Sequence, residues 1–127
     1  LKEGEMVTHV TLPEGSEDWC GDYQKLSQRD SWDFPEAGVA VLWKGGEDGR
    51  PTDLRVATTG LESVPSLHIE QSDNALSDWN GEDSVDELAE SIRKAVKPVQ
   101  NTWFSPPYRR KMVKVLTKRA CRDLVVS

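Results

Sequence analysis

Arg110, Lys111, Lys114, Lys118 and Arg122 follow one another at spacings of one, three and four residues near the end of a 127-residue chain. On a helix these five cations gather within an arc of about 120°, because residues three and four apart are neighbours on its surface. Such a ridge could follow the phosphates of a nucleic acid or the carboxylates of a protein partner. Tryptophans in polar loops, Trp19, Trp32 and Trp79, could anchor an interface beside it, and Trp79 stands closest to an expected helix. The partner-binding set expected from the sequence is therefore Arg110, Lys111, Lys114, Lys118, Arg122 and Trp79.

Residue types that do covalent or acid–base chemistry are sparse. The two cysteines, Cys20 and Cys121, lie a hundred positions apart and are expected as free thiols. Trp19-Cys20-Gly21 is similar to part of the thioredoxin active-site run, but Tyr23 stands where the second redox cysteine would be. The acids Glu17, Asp18 and Asp22 surround the thiol with negative charge, the opposite of what activates a thiolate. A dyad of Cys20 with His9 or His68 would need the fold to bring them together. Asp78-Trp79-Asn80-Gly81-Glu82-Asp83 looks like a calcium loop until the glycine is counted, which falls fourth instead of sixth. Nothing in the sequence brings Asp73 and Asp78 into one cleft as acid and base. No catalytic, cofactor-binding or metal-ligating residue is nominated.

The elements that must hold these residues can be read from periodicity. Val39-Ala40-Val41-Leu42-Trp43 and Thr52 to Thr59 flank a glycine-rich break at 45–51, which predicts a β-hairpin. Both faces of its first strand are apolar, so that strand is placed centrally. Met6 to Leu12 alternates and predicts a strand stopped by Pro13, and Ser66 to Glu70 predicts another. The stretch 13–37, rich in aromatics but irregular, is expected to wrap the core as an ordered loop. Ser84-Val85-Asp86-Glu87 has the form of a capping box, and Val85, Leu88, Ala89, Ile92 and Val96 make the stripe of a helix over 85–97. Ser105 followed by Pro106-Pro107 marks the start of a basic helix over 106–125.

The predicted architecture is one α+β domain over 1–127: an antiparallel sheet of three to four strands with two C-terminal helices packed on one face. After Ser105 there are seven basic residues against one acid, whereas the first 104 carry nine basic and 21 acidic ones. The whole chain has net charge −6 and pI near 4.9, and its acidic body repels polyanions, which ranks a protein partner or self-association above nucleic acid. No apolar run is long enough to cross a membrane and none forms a leader's core, so an intracellular protein is expected. The functional expectation is a non-enzymatic interaction domain or assembly subunit that offers the basic helix face and loop aromatics to an acidic protein. A nucleic-acid-binding accessory protein is the alternative, and a thiol or carboxylate enzyme comes third.

Overall fold

The computed structural model describes residues 1–29, 32–46 and 49–126. Four antiparallel strands, β1 (Cys20–Leu26), β2 (Ala37–Gly45), β3 (Pro51–Thr59) and β4 (Ser66–Leu67), lie side by side in chain order. Four helices follow: α1 (Ile69–Ser77), α2 (Glu82–Ala95), α3 (Pro106–Ala120) and the short α4 (Arg122–Val126). The expected α+β class, with its antiparallel sheet and helices on one face, is the observed one.

The hairpin of β2 and β3 is the spine of the sheet. Val41 stands opposite Val56 and Trp43 opposite Leu54, with a bulge at Lys44/Gly45 before the turn. Glu47 and Asp48, at the tip of the predicted glycine-rich loop, lie outside the described residues. Period-two alternation sends Ala37, Val39, Val41, Trp43, Leu54 and Val56 into the core. Ala40, Leu42, Ala57 and Leu67 fall on the other face, where Leu42 and Leu67 remain about half exposed. Against the core face, α3 packs over β1 and β2 and α1 over β3, with α2 set against both helices. Val85, Leu88 and Ile92 of α2 join Val113, Leu116 and Ala120 of α3 in one buried cluster with the strands.

Several local expectations are corrected. Met6 to Leu12 forms no strand: its backbone makes no hydrogen bond with any described residue, and Met6, Val7, Val10 and Leu12 are all exposed. A strand pattern states what a segment can do once paired, and pairing needs a neighbour. Instead, part of the supposed loop 13–37 supplies the first strand, because Cys20–Leu26 pairs with β2 through all seven residues. Its polar sequence hid it, since an edge strand half covered by α3 needs only Leu26 to be apolar.

The strand predicted over 66–70 stops after two residues. His68 closes the ladder with its backbone N–H on the Val56 carbonyl (2.8 Å), and its own carbonyl then accepts from Ser72 to open α1. This helix was missed because its face toward the sheet is made of Ser72 and the half-buried Ala75 and Leu76. The capping box does not form either. α2 begins at Glu82, so Ser84 sits inside its first turn, accepting from the Asn80 N–H (2.7 Å). The predicted 106–125 helix is broken at Cys121 into α3 and α4.

Candidate functional site

The basic ridge is divided by its neighbours. α2 lies along α3 and brings Glu90 to Lys114 (2.9 Å) and Asp86 to Lys118 (2.6 Å). Arg93 and Lys114 together hold the Glu90 carboxyl down to about 2, Arg93 contributing the larger share. Lys111 and Arg122 are exposed, Arg110 is half-buried with its Nε bonded to no described group, and Trp79 packs its ring against the core. The six nominated residues thus share no single open face.

Thiol and imidazole groups also stay apart. Cys20 is exposed at the start of β1, whereas Cys121 is buried and its thiol is pushed up to about 12 by burial and, secondarily, by the Asp22 charge. His68 is buried against the Thr58 hydroxyl (2.9 Å), with burial lowering its pKa against a smaller opposing pull from Glu62. His9 is exposed beside Thr8. Among the described residues, no group of three or more histidines, cysteines or carboxylates could hold a metal ion.

A different site takes shape at the end of the sheet where β1 and β3 finish and β2 and β4 begin. Arg109 lies one position inside the first turn of α3, on the same stripe as Val113, Leu116 and Ala120, so the helix carries it into the interior, where it is fully buried. Its Nε donates to the Glu36 carbonyl (2.7 Å), and Nη1 donates to the Val99 carbonyl (2.7 Å) and to Asn101 Oδ1 (3.2 Å). Nη2 donates to the Gly60 carbonyl. One planar cation therefore ties the β1–β2 loop, the β3–β4 loop and the α2–α3 linker together, which the fixed donor fork of arginine allows and a lysine ammonium does not.

The backbone around it is built for closeness. Gly60 has φ 75°, and a Cβ there would meet the Pro35 carbonyl oxygen at 2.5 Å. Burial lowers the Arg109 pKa while the Glu36 carboxylate pulls it back up, so the guanidinium keeps its charge. Glu36 is itself 8% exposed, and its Oε2 finds no hydrogen-bond donor among the described residues.

What these clamped loops present outward is aromatic. Trp32 and Phe34 are 95% and 86% exposed, and Trp103 is 87% exposed. Phe104 and Tyr108 sit together with ring centroids 5.2 Å apart. Trp103, although followed by Phe104 in sequence, stands in the open. Glu36, Asn101, Thr102 and Trp103 line a shallow depression beside it. Rigid loops that expose large aromatic side chains make a contact surface. Sequence did hold one signal for it: Arg109 continues the apolar stripe of α3 one turn toward its start.

Residues 22–124 match the family of the CO dehydrogenase flavoprotein C-terminal domain. The chain belongs to that family. It is 28% identical over 124 residues to the glyceraldehyde dehydrogenase medium chain of Sulfolobus acidocaldarius, a match covering 96% of this chain and 42% of that one. Solved structures share the fold. Carbon monoxide dehydrogenase from Hydrogenophaga pseudoflava lacking the Mo-pyranopterin moiety superposes with a TM-score of 0.74 at 20% identity, over 87% of this chain and 38% of the other. Quinoline 2-oxidoreductase from Pseudomonas putida 86 gives 0.73 at 18% identity, over 86% and 37%. In each case this chain spans less than half the length of its relative.

These likenesses correct the functional expectation. A non-enzymatic interaction domain that reads an acidic partner through Arg110, Lys111, Lys114, Lys118 and Arg122 is overturned, because the family is part of dehydrogenase flavoproteins. The expectation that the chain is no part of an enzyme falls with it. Nucleic acid gains no support, and a protein assembly does, since the curated relative is one chain of several by its name. Among the described residues no helix is long and apolar enough to cross a membrane.

A flavin dinucleotide does not fit the described residues. Its diphosphate would seek a helix N-terminus with free N–H groups and no carboxylates. The first turn of α2 carries Glu82 and Asp83, that of α3 is Pro106-Pro107, and that of α1 carries Glu70.

Proposed function

We propose that this chain is the C-terminal domain of the flavoprotein chain of a multi-chain dehydrogenase. The observation that carries the reading is the family match over residues 22–124, supported by a common fold with two CO dehydrogenases and a quinoline oxidoreductase. The domain contributes placement: the flavin belongs to the other part of the flavoprotein, and the aromatic loop end clamped by Arg109 docks against a neighbouring chain of the enzyme. Rigid aromatics lose little side-chain freedom on binding and dominate interface energies, which suits Trp32, Phe34 and Trp103 to that role.

The test is to express the flavoprotein chain that carries this domain, read its flavin absorbance, and assay dye reduction by the assembled enzyme with aldehydes, carbon monoxide and N-heteroaromatics. A flavin spectrum and turnover of one substrate class support the reading, and a chain that binds no flavin refutes it. Trp103→Ala combined with Phe34→Ala should leave the flavin in place and weaken co-purification of the partner chains; unchanged assembly would take the loop end out of the account.

A further inference from the structure

The stretch Met6 to Leu12 has the chemistry of a β-strand and no place in this fold. Met6, Thr8, Val10 and Leu12 lie on one side of an extended chain, and Val7, His9 and Thr11 on the other. Met6, Val7, Val10 and Leu12 are 77%, 62%, 83% and 73% exposed, and the backbone of 6–12 bonds to no described residue. Four large apolar side chains in seven residues, uncovered and unpaired, are a strand waiting for a sheet.

Two comparisons bear on where such a sheet would lie. The family match begins at residue 22, so 6–12 lies outside the C-terminal domain. The similarity to the glyceraldehyde dehydrogenase medium chain covers 96% of this chain, which leaves no room for 6–12 to fall outside it, and it accounts for only 42% of that relative. The stretch therefore belongs to what the two flavoproteins share, but not to the domain described here.

We propose that residues 6–12 form a strand of the sheet in the remaining part of the flavoprotein chain, inserting Met6, Val10 and Leu12 into its core and exchanging backbone hydrogen bonds with its edge. The inference rests on the reading of the chain as a flavoprotein domain. Pro13 ends the strand, and the turn at 13–19, with Gly15 at φ 80° and the 3-10 turn Ser16–Asp18, carries the chain over into β1. The short connection makes the strand a tether that fixes this domain against the other part.

The experiment is amide hydrogen exchange on the 127-residue chain and on the longer flavoprotein chain, each as wild type and as Val10→Asp/Leu12→Asp. In the 127-residue chain, amides 7–11 should exchange at the rate of an open chain, and the double variant should melt with the wild type. In the longer chain the same amides should exchange at least about 100-fold more slowly, and the double variant should melt roughly 5 °C lower or more. A longer chain that holds its flavin while amides 7–11 exchange freely overturns the strand and leaves the family reading standing. Protection without flavin upholds the strand and refutes the function. Protection in the 127-residue chain alone, accompanied by a doubled mass, assigns the strand to a second copy and overturns the proposal.

Discussion

Replacing Arg109 by methionine tests the central claim about the loop end, because the substitution keeps an unbranched stem in the interior and removes every donor. Three backbone carbonyls, those of Glu36, Val99 and Gly60, then lose their partner inside a fully buried site. Each stranded buried acceptor costs about 1–3 kcal/mol. Two effects reduce the sum: the desolvation of the guanidinium is no longer incurred, and the loops can part to admit water. The net loss expected is about 3–5 kcal/mol, the range found when one partner of a buried charged network is removed. For a chain of this size each kcal/mol lowers the melting temperature by roughly 3–5 °C, so Arg109→Met should melt on the order of 10–20 °C below wild type. Thermal unfolding followed by circular dichroism gives the number, and tryptophan fluorescence reports separately on the loops that carry Trp32 and Trp103. Arg109→Lys keeps the charge but cannot reach three diverging carbonyls, and should recover less than half of the loss. A drop of less than about 3 °C for the methionine variant would show that the loops hold themselves and that Arg109 does not organise this end.

Reversing Lys114 and Lys118 to glutamate should lower the melting temperature, because both face carboxylates of α2 instead of open solvent; the gap should narrow as salt is raised, and a variant as stable as wild type at low salt would refute the pairings. A thiol reagent at pH 8 should titrate one thiol in the folded protein, Cys20, and reach Cys121 only on unfolding, since burial holds that thiol at about 12; equal rates would contradict the burial of Cys121. His68 has a folded pKa depressed by burial, so the unfolded chain binds the proton more readily and stability falls as pH drops below about 6.5. His68→Gln should flatten the stability curve between pH 7 and 5, and parallel curves for the two proteins would rule out that linkage.

Strands buried on one or both faces announced themselves. Val39 to Trp43 and Leu54 to Thr58 alternate because the sheet has one core face, and β2 is central because its second face is apolar as well. α2 was legible by its stripe, although its start was not: Ser84 reads as a cap by spacing, but Glu82 and Asp83 extend the helix one turn toward the loop. Elements whose partners are remote in sequence were hidden. β1 is polar because it is an edge strand with no buried residue, packed in part against α3 some ninety residues on, and α1 is polar because the groups it turns inward include the Ser72 hydroxyl and the Ala75 methyl. The 6–12 alternation predicts a strand of this sheet, but the sheet holds no strand there, because no described segment lies alongside to pair with it.

The basic ridge misled for an electrostatic reason. Seven cations after Ser105 look unopposed along the chain, but a helix 24 residues upstream brings Glu90 to Lys114 and another carboxylate to Lys118. Opposite charges concentrated in separate segments are what antiparallel helices need in order to pair, and the same segregation is what an external polyanion would exploit, so a charge count cannot distinguish them. Arg109 shows the converse. It is indistinguishable by composition from its neighbour Arg110, yet one residue of helix phase, about 100°, puts it at 0% exposure with four acceptors in reach. Phase relative to the apolar stripe, rather than the number of cations, therefore separates the arginine that organises the aromatic loop end from those that line the helix surface.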